Sequence, residues 1–253
     1  MALSSDFINV QKVFIEKDNS LISMMEYKGS DFQKDHLDGR SQSEEDTFGL
    51  FLSNTDNLFK YEQEVEKNWF SSQDCLEALN KIKPDLILVY GTSIIRGEII
   101  NIYRNRILNL HLGLTPYYRG SGTNLFPILN DEPEFIGATY MYLDEGIDTG
   151  EIIHQIRPKI IATDSFHQFS NRFLIKAFKT YIKIAGNYNQ LENIKDNFFN
   201  NGNSKRYVYK NRDFTDEVIK TLYEKIKCGL LKEYLMDKDK RDEKVQIFSQ
   251  KFL

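Results

Sequence analysis

The chain has 253 residues, of which 41% are hydrophobic and 13% aromatic, and it carries a net charge of −4 at pH 7. That length suits one α/β domain with a small appendage, and that apolar content excludes wholesale disorder. The acidic balance argues against a broad surface for nucleic acid or anionic membrane. Cys75 and Cys228 stand alone in the sequence, so neither a disulfide framework nor a zinc site is expected. No apolar run reaches membrane-spanning length, and the opening "MALSSDFINVQKVF" lacks the basic, apolar, small-residue order of a secretory signal. The expectation is a soluble cytoplasmic protein without a metal.

Phe7–Lys17 is rich in β-branched and aromatic residues and reads as an early strand. The polar stretch after it carries a helix over Ser43–Leu52, with His36 read as a surface residue. From Ser71 a serine N-cap opens a helix with Leu76, Leu79 and Ile82 at helical spacing, stopping before Pro84. Leu86–Val89 is a continuous apolar run between Asp85 and Gly91, the pattern of a buried parallel strand. A helix over Ile94–Tyr103 leads to a second buried strand, "RILNLHLG", which makes a βαβ unit. "GTNLFPILN" reads as helical, and Glu134–Asp144 and Glu151–Ile160 read as strands around the loop "DEGIDTG". Asp164 is expected to cap a long helix that presents Phe166, Phe169, Phe173, Ala177, Tyr181 and Ile184 on one face, a stripe read as packing. One further amphipathic helix is expected over Asn211–Leu235, and "DKDKRDEK" after it reads as a solvated charge run.

Ligands of open parallel sheets bind outside the carboxyl ends of the strands. Asn109 and His111 sit at such an end and, two apart in a strand, project to the same side. One offers an amide donor and the other a group that titrates near neutrality. "DEGIDTG" supplies Asp144, Glu145 and Asp148 as carboxylates that could orient an imidazole, in a loop loosened by Gly146 and Gly150. His154, within a strand pattern, and His167, on a helix face, read as packing residues. Tyr117, Tyr118 and Arg119 fit either a substrate lip or a surface loop.

The string from about Pro84 to Ile160 resembles the core of the folate-dependent formyltransferases. Their pattern is Asn-x-His, then Pro and Gly a few residues on, then Asp-x-Gly. It is met here by Asn109, His111, Pro116, Gly120, Asp148 and Gly150. The resemblance implies a Rossmann-like, mostly parallel α/β sheet. It also implies 10-formyltetrahydrofolate as formyl donor, an amine acceptor, and Asn109, His111 and Asp148 as catalytic residues. Leu88, Val89, Tyr90, Gly91, Asp144 and Gly146 would hold the folate, with Tyr117 and Arg119 toward the acceptor.

The family's branches differ in acceptor. The tail after Ala162 looks mainly helical, unlike the β-barrel of the transfer RNA branch, and Arg119 resembles the sugar and transfer RNA branches more than the purine branch. The resemblance thus favours a nucleotide-linked amino sugar and a homodimer, with residues 1–162 as the catalytic domain and 163–253 as a helical extension. It leaves open a formyltetrahydrofolate hydrolase, a methionyl-tRNA or glycinamide ribonucleotide formyltransferase, and a relative that binds folate or a partner without turnover. Family members begin with a strand and helix ahead of the one matched by "NVQKVFIEK". By this resemblance, either the true start lies upstream, or "MALSSD" holds a rearranged element, or the chain is a truncated relative without the usual first strand.

Overall fold

Strand formation follows the apolar runs. A computed structural model describes residues 2, 5–17, 30–52, 61–192, 194 and 206–252. The first strand, β1 (Val13–Glu16), is shorter than the expected one and pairs in parallel with β2 (Glu62–Val65) as a separate two-stranded sheet. Residues 1, 3 and 4, ahead of it, lie outside the described residues.

The central sheet has the order β3-β4-β6-β7, where β3 is Ile87–Val89, β4 Ile107–His111, β6 Ala138–Tyr142 and β7 Ile152–Ile156. β3 and β4 run parallel, with Val89 beside Asn109, and their crossover carries a short helix (Glu98–Ile102). β4 meets β6 antiparallel, with His111 opposite Thr139, and β6 meets β7 antiparallel. The link from β6 to β7 is only the loop 143–151, too short for the crossover that a parallel neighbour requires. A third pair, β5 (Tyr118–Gly120) with β8 (Tyr207–Tyr209), is parallel again. The α/β class with mostly parallel pairing therefore holds, while the half of the central sheet beyond β4 is antiparallel.

Helix α1 (Asp31–Leu52) starts twelve residues before the expected Ser43. Ser30 caps it, its Oγ accepting from Gln33 N at 3.3 Å, and i,i+4 bonds from Arg40 to Glu44 and Gln42 to Asp46 support the polar turns. α2 (Gln73–Ile82) is capped by Ser72 and buries Cys75, Leu76 and Leu79, as the spacing predicts. Its C-cap, Lys83, closes the helix with a left-handed φ of 51° and its N–H on Leu79 O, directly before Pro84. With α3 as the crossover helix Glu98–Ile102, α4 (Phe126–Leu129) follows β5.

α5 (Phe166–Gly186) is capped by Ser165, not Asp164: Ser165 and Gln168 form a reciprocal capping box. The Asp164 carboxylate instead accepts from Ile161 N at 2.8 Å and Arg172 Nη1 at 3.0 Å. The apolar stripe of α5 splits between two cores. Phe173, Ala177, Tyr181 and Ile184 pack with Leu108, Leu110, Tyr140 and Ile153 of the central sheet, and Phe169 joins Tyr118, Phe126 and Leu222. Residues on both sides of position 162 thus share each core.

The single helix expected over Asn211–Leu235 is broken. A 3₁₀ turn at Asn211–Asp213 precedes α6 (Asp216–Lys227) and α7 (Leu230–Met236), which separate at Gly229, φ +94°. α8 (Lys238–Asp242) holds the charge run, which is not simply solvated: Asp242 accepts from the Tyr234 hydroxyl at 2.7 Å, and Arg241 Nε donates to Glu134 at 2.9 Å. Residues 248–250 then lie along β7, with Gln155 N donating to Phe248 O at 2.7 Å. That pairing covers the sheet's outer edge.

Candidate active site

β4 delivers Asn109 and His111 to the carboxyl end of the sheet, where the chain turns at Leu112–Gly113. Gly113 has no substitute in this turn, because a Cβ there would lie 2.5 Å from His111 Nε2. The same Nε2 is 3.0 Å from the Tyr118 carbonyl on β5. A carbonyl only accepts, so Nε2 carries the proton of this bond. His111 Nδ1 lies 3.3 Å from Asp148 Oδ2.

Asp148 stands on the β6–β7 loop with a left-handed φ of 50°, a region that Asp tolerates better than most residues. Its carboxylate gathers donors from three places: the His111 edge, Gly120 N at 2.8 Å, and Asn109 Nδ2 at 3.5 Å. Gly120 is held at φ +88°, and a Cβ there would sit 2.0 Å from Tyr209 O on β8. Only glycine allows β5 to approach β8 and still present its N–H to Asp148.

Electrostatics pull His111 in two directions. Burial is the larger effect and holds it below the ordinary imidazole value; the Asp148 charge and the Tyr118 carbonyl push back up. Only the imidazolium places an N–H on both acceptors, so the geometry favours the form that burial penalises.

Asn109, His111 and Asp148 open onto a cleft of ≈ 1190 Å³. Val89, Tyr90, Gly91, Asp144 and Gly146 line it as well. Val89 N and O are both engaged by the buried Tyr181 hydroxyl, at 2.9 and 3.1 Å, so its backbone is committed to the protein. Asp144 shapes its own loop, accepting from Gly146 N at 3.0 Å and Thr149 Oγ1 at 2.9 Å. Ile94, Ile147 and Tyr90 leave large apolar surface exposed at the cleft.

Three expected site residues lie elsewhere. Leu88, one step along the pleat from Val89, packs into the central core. Tyr117 is buried against Phe135, with ring centroids 5.0 Å apart, and its hydroxyl donates to Gln246 O at 3.1 Å. Arg119 is not among the cleft-lining residues, and its Nε is buried without a hydrogen-bond partner. His154 is a packing residue whose Nδ1 accepts from Gln250 N at 2.9 Å. His36, expected on the surface, is buried at 6% exposure because Tyr223, Phe214 and His167 cover it.

Sequence reasoning missed the backbone contributors, the Tyr118 carbonyl and the Gly120 N–H, because backbone groups leave no signature in side-chain pattern. It also missed the cleft walls built by α1 and by Tyr209–Arg212. Among the described residues, no three His, Cys, Asp or Glu side chains gather as a metal site, and no helix is long and apolar enough to cross a membrane.

Comparison with known proteins bears on the same stretch. The methionyl-tRNA formyltransferase of Clostridium tetani is 33% identical over 113 residues, which are 44% of this chain and 36% of that protein. The chloroplastic phosphoribosylglycinamide formyltransferase of Arabidopsis thaliana is 28% identical over 121 residues, 46% of this chain and 41% of that one. The chain thus spans about two fifths of the length of the curated relatives it matches. Among solved structures, a sugar N-formyltransferase from Shewanella sp FDAARGOS_354 superimposes with a TM-score of 0.50. That likeness covers 81% of this chain and 79% of the other at 18% identity, and speaks for the fold. The model of the formyl transferase family matches residues 31–185, more than half of the chain and the whole stretch from α1 to α5. The chain belongs to the formyl transferase family.

Proposed function

We propose that this protein transfers a formyl group from 10-formyltetrahydrofolate to an amine, the amino group of a nucleotide-linked sugar. The observation that carries the reading is the convergence of Asn109, His111 and Asp148 at one strand end, on a cleft large enough for two reactants. The donor fits the residues present. Exposed Ile94, Ile147 and Tyr90 offer apolar faces to a flat ring system, and beside Gly91 the space where a Cβ would stand is open within 4 Å.

When bound, 10-formyltetrahydrofolate supplies an electrophilic formyl carbon. Asn109 Nδ2 has one N–H turned to Asp148 and keeps a second for an oxyanion developing in the cleft. A donor so placed is worth on the order of a hundredfold or more in rate. His111 Nε2 is committed to the Tyr118 carbonyl, so the neutral ring would accept the attacking amine's proton at Nδ1, the edge that faces Asp148, and return it to the donor nitrogen as its bond to the formyl carbon breaks. Asp148 orients the ring and favours its protonated form against the burial that opposes it. The β8 strand of the C-terminal extension holds β5, and through it the Gly120 N–H and Tyr118 carbonyl, in place.

The sugar acceptor is supported by the sugar N-formyltransferase whose fold this chain shares over most of its length, and by the mainly helical segment after residue 162. The test is release of tetrahydrofolate from 10-formyltetrahydrofolate, offered with nucleotide-linked amino sugars, glycinamide ribonucleotide, methionyl-tRNA or water alone. Release that depends on an amino sugar supports the proposal. Release with water alone makes the protein a hydrolase, and binding without release overturns the activity.

A further inference from the structure

The cleft continues past the Asn109–His111–Asp148 cluster to a wall made by α1 and α5. His36 and Arg40 stand one turn apart on α1, and His167 and Ser170 one turn apart on α5, so each pair shares a helix face. The helices meet closely here: a Cβ on Gly39 would lie 3.7 Å from His167 Cδ2, and Asn171 Nδ2 donates to Ser43 Oγ at 3.0 Å. The two imidazoles are 4.7 Å apart, and the Tyr223 hydroxyl bridges His36 Nδ1 at 2.9 Å and His167 Nε2 at 3.0 Å. A hydroxyl has one proton, so it donates to one ring and accepts from the other. That bridge fixes both rings; in the neutral form that burial favours, the second nitrogen of one ring carries a proton free to meet a ligand, and that of the other a lone pair. Arg40 holds Glu44 through Nε at 2.6 Å, which orients its guanidinium, and Ser170 Oγ is buried without any hydrogen-bond partner.

Charge points the same way. The basic residues Arg40, Lys67, Arg96, Lys210 and Arg212 line the cleft against the carboxylates Glu44, Asp144 and Asp148. This is a local excess of positive charge in a chain whose net charge is −4. The cleft's ≈ 1190 Å³ exceeds the roughly 300–1,000 Å³ of a pocket for one small molecule.

Resting on the formyl-transfer reading, we infer that the wall of His36, Arg40, His167 and Ser170 binds a phosphate group of the acceptor. Imidazole, guanidinium and hydroxyl donors on two different helices suit a tetrahedral group with three oxygens better than a planar carboxylate with two. The wall has no part in moving the formyl group. It reads what the acceptor carries and holds the amine end toward Asn109 and His111.

The test is calorimetric titration of the full chain and of Arg40→Ala and Ser170→Ala variants. The probes are uridine diphosphate, uridine, and tetrahydrofolate bearing one or five glutamates. The expected result is uridine diphosphate binding weakened about tenfold or more in Arg40→Ala, and several-fold in Ser170→Ala. Uridine and monoglutamyl tetrahydrofolate should bind unchanged, the latter also reporting that the variants are folded. Equal uridine diphosphate affinity in all three proteins, or none in the unmodified chain, overturns the inference. So does a loss confined to pentaglutamyl tetrahydrofolate, which would assign the wall to the donor's carboxylate tail. Failure of the unmodified chain to bind monoglutamyl tetrahydrofolate would instead defeat the formyl-transfer reading itself.

Discussion

Tyr181→Phe isolates one hydroxyl that ties the helix α5 to the two strands framing the site. In the folded chain that hydroxyl accepts from Val89 N at 2.9 Å and reaches the carbonyls of Val89, at 3.1 Å, and of Leu108. Tyr181 is only 3% exposed, so no solvent replaces the lost group. Phenylalanine keeps the ring and its contact with Tyr140, 5.6 Å between centroids, so little cavity forms. What remains is the desolvation cost of an orphaned Val89 N–H, about 1–3 kcal/mol, plus a smaller loss at the carbonyls. The total is about 2–3 kcal/mol, and at roughly 2–4 °C per kcal/mol for a chain of this size the melting temperature falls by about 5–10 °C. Urea and thermal denaturation followed by circular dichroism measure it. Because Val89 pairs with Asn109, tetrahydrofolate release should slow as well. A stability change below about 0.5 kcal/mol would refute the argument that this hydroxyl satisfies buried backbone.

Three further outcomes are expected. Asp148→Asn keeps a residue that tolerates φ 50° but removes the charge opposing burial at His111; the imidazole should titrate at still lower pH by NMR and turnover drop on the order of 10²–10⁴-fold, whereas an unmoved titration contradicts the assignment. Gly120→Ala forces a side chain into φ +88° against Tyr209 O, so it should destabilise by more than about 1 kcal/mol in denaturant titrations and detach Gly120 N from Asp148. His36 and His154 are both held down to about 4, chiefly by burial. Below pH 6.5 the unfolded chain therefore binds protons that the folded chain refuses. Stability that is complete above pH 6.5 is lost as the pH falls toward 4, by up to about 1.4 kcal/mol per pH unit for each histidine. A denaturation midpoint that stays level between pH 7 and pH 5 contradicts this.

The legible parts of the site were those where chemistry and local pattern coincide. Asn109 and His111 alternate on an apolar strand, and Asp148 lies in a loop bounded by Gly146 and Gly150, so their types and spacing could be read directly. Leu88 and Tyr117 were assigned through the family resemblance, which holds no record of where this chain turns each side chain. Pleat alternation sends Leu88 to the other face, and Tyr117 turns into the aromatic core around Phe135. His36 illustrates the opposite error, since a histidine in a polar helix has no local reason to be buried. Tyr223, 187 residues away, makes it so together with His167 and Phe214.

The sequence by itself determined the strands β3, β4, β6 and β7, the N-cap of α2, and the Asn109–His111 pair at the end of β4, because each depends on residues close along the chain. The tertiary structure alone decided which nitrogen of His111 meets Tyr118 and which meets Asp148. It also decided that β8 braces the loop at Gly120, and that α1 and α5 close one wall of the cleft. These are contacts between segments far apart in sequence, formed by backbone groups or by side chains whose burial depends on what packs over them. Local pattern holds no record of them.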